Sequence, residues 1–172
     1  MCRRKVRGLR EAFKGFLRKA EGAALLRYAK VLPRGSRIVE VGTLHGLSTA
    51  YLALGARDSE SMVYAVDPFE FGELEPGDGA NYQGKSSLDD VSRRLTDFGV
   101  KANVSLIRGL SQDVARSWNN GPINLLWVDG NHNQAREDWD SWKPHLSDGA
   151  RVAFHDSHPV HGSRFPKVLE TV

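Results

Sequence analysis

Residues 37–55, RIVEVGTLHGLSTAYLALG, decide the fold of this chain. The β-branched apolar residues Ile38, Val39 and Val41 come first, the glycines Gly42 and Gly46 follow, and Leu47, Tyr51, Leu52 and Leu54 then fall at helical spacing. The stretch predicts a strand, a tight turn and a helix. Glycine reaches backbone angles closed to other residues, and without a Cβ it lets a ligand approach the main chain. The helix points its unpaired N–H groups and positive dipole end at whatever sits over the turn, so a small polar or anionic ligand is expected there. Glu40, at the end of the strand, reads as a fixed negative charge for a cationic or hydroxyl-bearing part of that ligand.

Outward from this unit the pattern repeats. MVYAVDPF (62–69) is a second buried-strand pattern carrying Asp67, and one carboxylate there can accept hydrogen bonds from both hydroxyls of a ribose. Leu88, Val91, Leu95 and Phe98 mark an amphipathic helix, NVSLIRG a third strand that runs into Gly109, and INLLWVDG a dense apolar fourth strand with Asp129 behind it. A helix is expected within GNHNQAREDWDSWKPHLSDG (130–149), then a fifth strand, RVAFHDSH, with His155 and Asp156 at its end. Alternating strands and helices imply an α/β domain with a doubly wound, mostly parallel sheet, whose ligands bind beyond the carboxyl ends of the strands. Glu40, Asp67, Gly109, Asp129 and Asp156 all fall there. Residues 70–87 are rich in Gly, Pro and acids and read as a long loop, either a lid or an insertion.

The 172 residues suit one domain, and 40% hydrophobic with 26% charged content is that of a globular protein. No apolar run long enough for a membrane span or a secretory signal is present, and the lone Cys2 fits a reducing cytoplasm, the expected location. The net charge of +3 hides an asymmetry, because the first 30 residues carry ten Lys or Arg against Glu11 and Glu21. Leu9, Phe13, Phe16, Leu17, Ala20 and Ala24 fall at helical spacing, so residues 1–20 read as a basic amphipathic helix ahead of a ligand-binding domain over 21–172. A solvated helix, or a contact within a homo-oligomer, outweighs a nucleic-acid surface, because no RNA-binding signature and few interleaved aromatics accompany the charge.

Spacing narrows the ligand. The turn reads E-x-G-x-x-x-G, not the G-x-G-x-x-G of nicotinamide sites. It resembles the first motif of class I S-adenosylmethionine-dependent methyltransferases. With LLWVDGNH (125–132) and GARVAFHDSH (149–158), the resemblance extends to the metal-dependent small-molecule O-methyltransferases of that Rossmann-like class, the branch that includes antibiotic-sugar and cephalosporin-pathway enzymes. It runs from about Glu21 to His158. The resemblance implies S-adenosylmethionine bound by Glu40, Gly42, Gly46, Ser48, Asp67, Gly109, Ser111 and Asp129, and methyl transfer to the hydroxyl of a small molecule.

Two acids ending neighbouring strands, Asp129 and Asp156, repel unless a proton or cation lies between them, and a hard divalent ion such as Mg2+ suits their oxygens. The resemblance implies a metal held by Asp129, His155 and Asp156, with His132 as the base that takes the hydroxyl proton. His155 stands where the family carries an acid, and imidazole admits Mn2+, iron or zinc, or no metal at all. The family also adds two strands after the fifth, a pair this sequence is expected to lack. Two rivals stay open: a protein that binds the cofactor without catalysis, and a nucleic-acid methyltransferase, against which the absence of an N-P-P-Y type motif counts. A metallophosphatase suggested by DGNHN and HDSHPVHG lacks the upstream D-x-H and G-D-x-x-D elements.

Overall fold

The computed structural model describes residues 8–13, 15–69, 87–157, 168 and 171. The loop expected over 70–87 lies outside them except for Ser87, as does nearly all of the stretch from 158 onward on which the expected loss of a strand pair falls.

Five strands form one parallel sheet: β1 (Arg37–Val41), β2 (Met62–Asp67), β3 (Val104–Arg108), β4 (Ile123–Val128) and β5 (Leu146–Phe154), in the order β3-β2-β1-β4-β5. The order reverses between β1 and β4, which opens the crevice where ligands of such sheets bind. The helices are α1 (Lys19–Lys30), α2 (Leu47–Ala56), α3 (Leu88–Asp97), the short α4 (Ser111–Arg116) and α5 (Ala135–Trp142). None of the described helices is long and apolar enough to cross a membrane.

The period-two pleat divides each strand between two cores. Ile38, Val63, Leu125 and Trp127 pack with Leu25, Ala29 and Leu52 of α1 and α2. Val39, Val41, Val66, Leu126 and Val128 turn the other way, to Ala115 and Trp142 of α4 and α5. Because both faces are covered, the strands are apolar almost throughout, as the sequence pattern requires.

Two elements differ from expectation. The basic N-terminal segment is not one helix: residues 8–12 are helical, Gly15 is extended at φ 159°, and α1 begins only at Lys19. The break lets Leu9, Phe13 and Leu17 all reach the core while Phe16 is left 62% exposed, and the Arg10 guanidinium donates to the Leu17 carbonyl across the bend. The helix expected within 130–149 is α5, but the fifth strand, expected from Arg151, starts earlier: Leu146 already pairs with Ile123, and a register shift carries β5 through to Arg151 opposite Leu125.

Candidate functional site

The turn after β1 is built by backbone constraint. Gly42 has φ +88°, and a Cβ on it would lie 2.2 Å from the Asp129 carbonyl oxygen, so no other residue fits. Its N–H donates to Val66 O at 2.9 Å, and Asp129 N–H donates to Val41 O at 2.8 Å, tying the ends of β1, β2 and β4 together. Gly46, at φ +87°, starts α2. Between the glycines, Leu44 takes a left-handed φ of +48°.

Asp67 holds that conformation. Its Oδ2 accepts the N–H of Thr43 at 2.8 Å and of Leu44 at 3.1 Å, and its Oδ1 accepts Phe69 N–H at 2.7 Å. Only 4% exposed, it clamps the glycine turn, a role invisible in the sequence because its partners are main-chain groups. Each carboxylate oxygen has two lone pairs, so acceptor capacity remains for a ribose hydroxyl.

Glu40 is fully buried. Burial is the main cause that pushes its carboxyl up to about 8; hydroxyl donation from Ser48 and Thr49 opposes this, and Asp129 and Asp67 add to it. Burial thus favours its protonated form over the fixed charge that the strand end suggests. Thr49 Oγ1 donates to Oε2, whereas Oε1 is buried with no partner among the described residues. An orphaned acceptor of this kind fits a ligand donor such as an ammonium group.

One residue on, the side chains form a cluster of mixed charge. His155 follows β5, its N–H donating to Val128 O at 3.0 Å, and Asp156 turns the chain at φ +53°. His155 Nδ1 lies 3.2 Å from Asp129 Oδ1 and 3.0 Å from Asp156 Oδ2, and His132 Nε2 lies 3.2 Å from Asp156 Oδ2. His132 is carried by a short 3-10 turn after β4, capped by the Asn131 side chain accepting Asn133 N–H at 3.0 Å. Burial alone would lower the pKa of His155, but the hydrogen bond to Asp129 and the charges of Asp129, Asp156 and Glu21 carry it up to about 9. The Asp129 carboxyl is itself pushed up by burial, against the pull of His155. The imidazole proton thus offsets part of the negative charge of the two acids. Asp129, His132 and His155 each offer a donor atom within 4.8 Å of the others, so these three fit a metal, a set that takes in the expected base His132 and not the expected ligand Asp156.

The structure thus brings Asp129, His132, His155 and Asp156 together, and sets Glu40, Ser48 and Asp67 beside them at the glycine turn. Gly109 closes β3 by donating to Asp67 O at 3.1 Å. Ser111 faces α5 instead of the cluster: its Oγ accepts Trp142 Nε1–H at 2.9 Å. Asp138, 2% exposed, bonds to Ser111 and accepts Gln112 Nε2–H at 2.8 Å, and burial raises its pKa to about 6. It was missed among the charges of AREDWDSW, although it shares a helical face with the buried Ala135 and Trp142. Glu21 was missed too: it reaches the cluster from α1, its Oε2 3.4 Å from His155 Nε2. A cavity of about 410 Å³ lies alongside, lined among others by Glu21, Tyr28, Trp127, Phe154 and His155.

A family model described as a methyltransferase domain matches residues 39–157. The uncharacterized protein y4gI of Sinorhizobium fredii is 29% identical over 128 residues, which are 72% of this chain and 13% of that protein. The chain therefore spans a small part of the length of this curated relative. The O-methyltransferase TomG from Streptomyces achromogenes, involved in tomaymycin synthesis and solved in complex with SAM, shares the fold with a TM-score of 0.67 at 18% identity, over 98% of this chain and 76% of its own. The O-methyltransferase from Bacillus cereus, solved with SAH, gives a TM-score of 0.70 at 13% identity, over 99% and 76%.

Proposed function

Since the chain belongs to the methyltransferase-domain family, we propose that it transfers the methyl group of S-adenosylmethionine to the hydroxyl of a small molecule, assisted by a divalent cation. The observation that carries this reading is the double use of Asp129. Its main chain closes the Gly42 turn, and its side chain reaches His155 at 3.2 Å. A cofactor over the turn and an acceptor at the cluster would meet at one residue, as an in-line transfer requires.

Glu40 Oε1 would take the cofactor's ammonium, the remaining lone pair on Asp67 Oδ1 a ribose hydroxyl, and the main chain at Gly42 and Gly46 the methionine end. Gly109 and Ser111, at the end of β3 and the start of α4, would lie toward the adenine. When bound, the cofactor supplies a methyl group on a positively charged sulfur, and a cation at Asp129, His155 and Asp156 would favour the ionised acceptor oxygen. The methyl group would pass from that sulfur to the acceptor oxygen, leaving a neutral thioether, and the hydroxyl proton would pass to His132 Nε2. Asp156, 3.2 Å away, steadies the resulting imidazolium. The TomG and Bacillus cereus likenesses support a small hydroxyl acceptor, and the cavity beside α1 is of a size to hold one.

Calorimetric titration with S-adenosylhomocysteine tests the reading. Saturable binding, weakened when Glu40 is replaced by Ala, is the expected result. A chain that binds none of it is not a methyltransferase.

A further inference from the structure

The two nitrogens of His155 face different partners. Nε2 is 3.4 Å from Glu21 Oε2 on α1, and Nδ1 is 3.0 Å from Asp156 Oδ2 and 3.2 Å from Asp129 Oδ1. From these contacts we propose that Glu21 is the positioning residue of the cluster, which orients His155 as a nitrogen ligand for a divalent transition-metal cation. The inference deepens the proposed function and rests on it for what the cation does, while its presence is tested separately.

A neutral imidazole has one N–H and one lone pair. A cation that displaces the Nδ1 proton would leave Nε2–H facing Glu21 Oε2, 3.4 Å away, and the Nδ1 lone pair directed into the gap between Asp129 and Asp156. Metal-binding histidines are held in this manner, the far N–H on a carboxylate that fixes tautomer and ring orientation. The spacing agrees. Ligand atoms at about 2.1 Å from an ion and at right angles to one another lie about 3 Å apart. The separations of Nδ1 from the two acids are 3.0 and 3.2 Å.

Glu21 is itself held in place. Its Oε2 accepts Arg18 N–H at 2.7 Å at the start of α1, so the carboxylate cannot swing away without loosening the helix. The Trp127 ring meets the imidazole edge-on at 5.6 Å, which restrains the histidine from another side. A donor set that mixes imidazole with carboxylate selects Mn2+, Fe2+, Co2+ or Zn2+ over Mg2+, which prefers oxygen alone. The magnesium expected from the carboxylates is replaced in this reading by a softer ion.

The test is titration of the tag-free protein with Co2+, followed by its visible absorption, and with Mg2+ by calorimetry. Co2+ is expected to bind with a visible band and roughly a hundredfold more tightly than Mg2+. Glu21→Gln keeps an acceptor for Arg18 N–H but loses the charge behind the imidazole, and is expected to weaken Co2+ binding by about tenfold or more. His155→Asp, which replaces the nitrogen with an oxygen ligand, is expected to narrow the preference for Co2+ over Mg2+ by about tenfold or more. No Co2+ band, equal affinities for Co2+ and Mg2+, or an unchanged Co2+ affinity in Glu21→Gln overturns the inference. Titration with S-adenosylhomocysteine reports separately on the methyl-transfer reading, so the two fail independently.

Discussion

The glycine turn and the histidine cluster meet at Asp129, yet they are held by different forces. At the turn, the acid Asp67 is satisfied by three backbone N–H groups, and Glu40 is kept mostly uncharged by burial. In the cluster the acids face imidazole nitrogens at 3.0 to 3.2 Å. A carboxylate bound to amides has a geometry set by the chain itself, whereas one bound to a protonated ring can exchange that proton for another cation. The turn is therefore a preformed mould and the cluster an exchangeable charge balance.

The comparison breaks most completely at Gly42. Gly42→Ala places a methyl group 2.2 Å from the Asp129 carbonyl at a φ of +88°, so it displaces β4 from β1 and disrupts both halves. The expected result is a loss of stability of more than about 2 kcal/mol, with no measurable binding of S-adenosylhomocysteine, read by thermal melting and calorimetry. Asp67→Ala acts on the turn alone. It strips three N–H groups of their acceptor and is expected to cost roughly 2–3 kcal/mol, while Co2+ binding at the cluster changes less than cofactor binding. Equal losses of both would mean that the two halves are not separable.

Glu40→Gln sharpens the contrast by pH. The folded carboxyl, raised to about 8, holds its proton more tightly than the unfolded one, near 4.5. Its contribution to stability is therefore fully present below about pH 4.5 and is lost as pH rises through about 8. Glutamine copies the protonated form, so the variant should show a flatter decline in melting temperature between pH 5 and 8, by about a few degrees at the upper end. A slope identical to that of the parent chain would show that Glu40 is ionised in the fold.

Much of the architecture was legible because a parallel sheet covered on both faces writes itself as apolar runs. Ile38 and Val39 face opposite cores, yet both had to be apolar. The sites at strand ends were legible for the same reason: a polar residue stopping such a run, like Asp67 or Asp129, has only one place to go. Residues that act from helices were not. Glu21 and Asp138 sit among exposed charges of the same type, and only the packing of α1 and α5 turns them inward. The N-terminal bend was hidden because Leu9, Phe13 and Leu17 satisfy helical spacing while the chain is not helical from Gly15 to Arg18. Nor could periodicity reveal the early start of β5, since a register shift follows from its pairing with β4.

The contact that fixes the turn against β4 is made by main-chain atoms of position 129, not by its side chain. Geometry and chemistry are thereby assigned to separate parts of one residue. Substitution at 129 can retune which ion or acceptor the protein handles without recasting the cradle next to it, whereas position 42 has no such freedom. A lineage of such proteins would diversify its chemistry at the rim of the sheet while its glycine stays fixed.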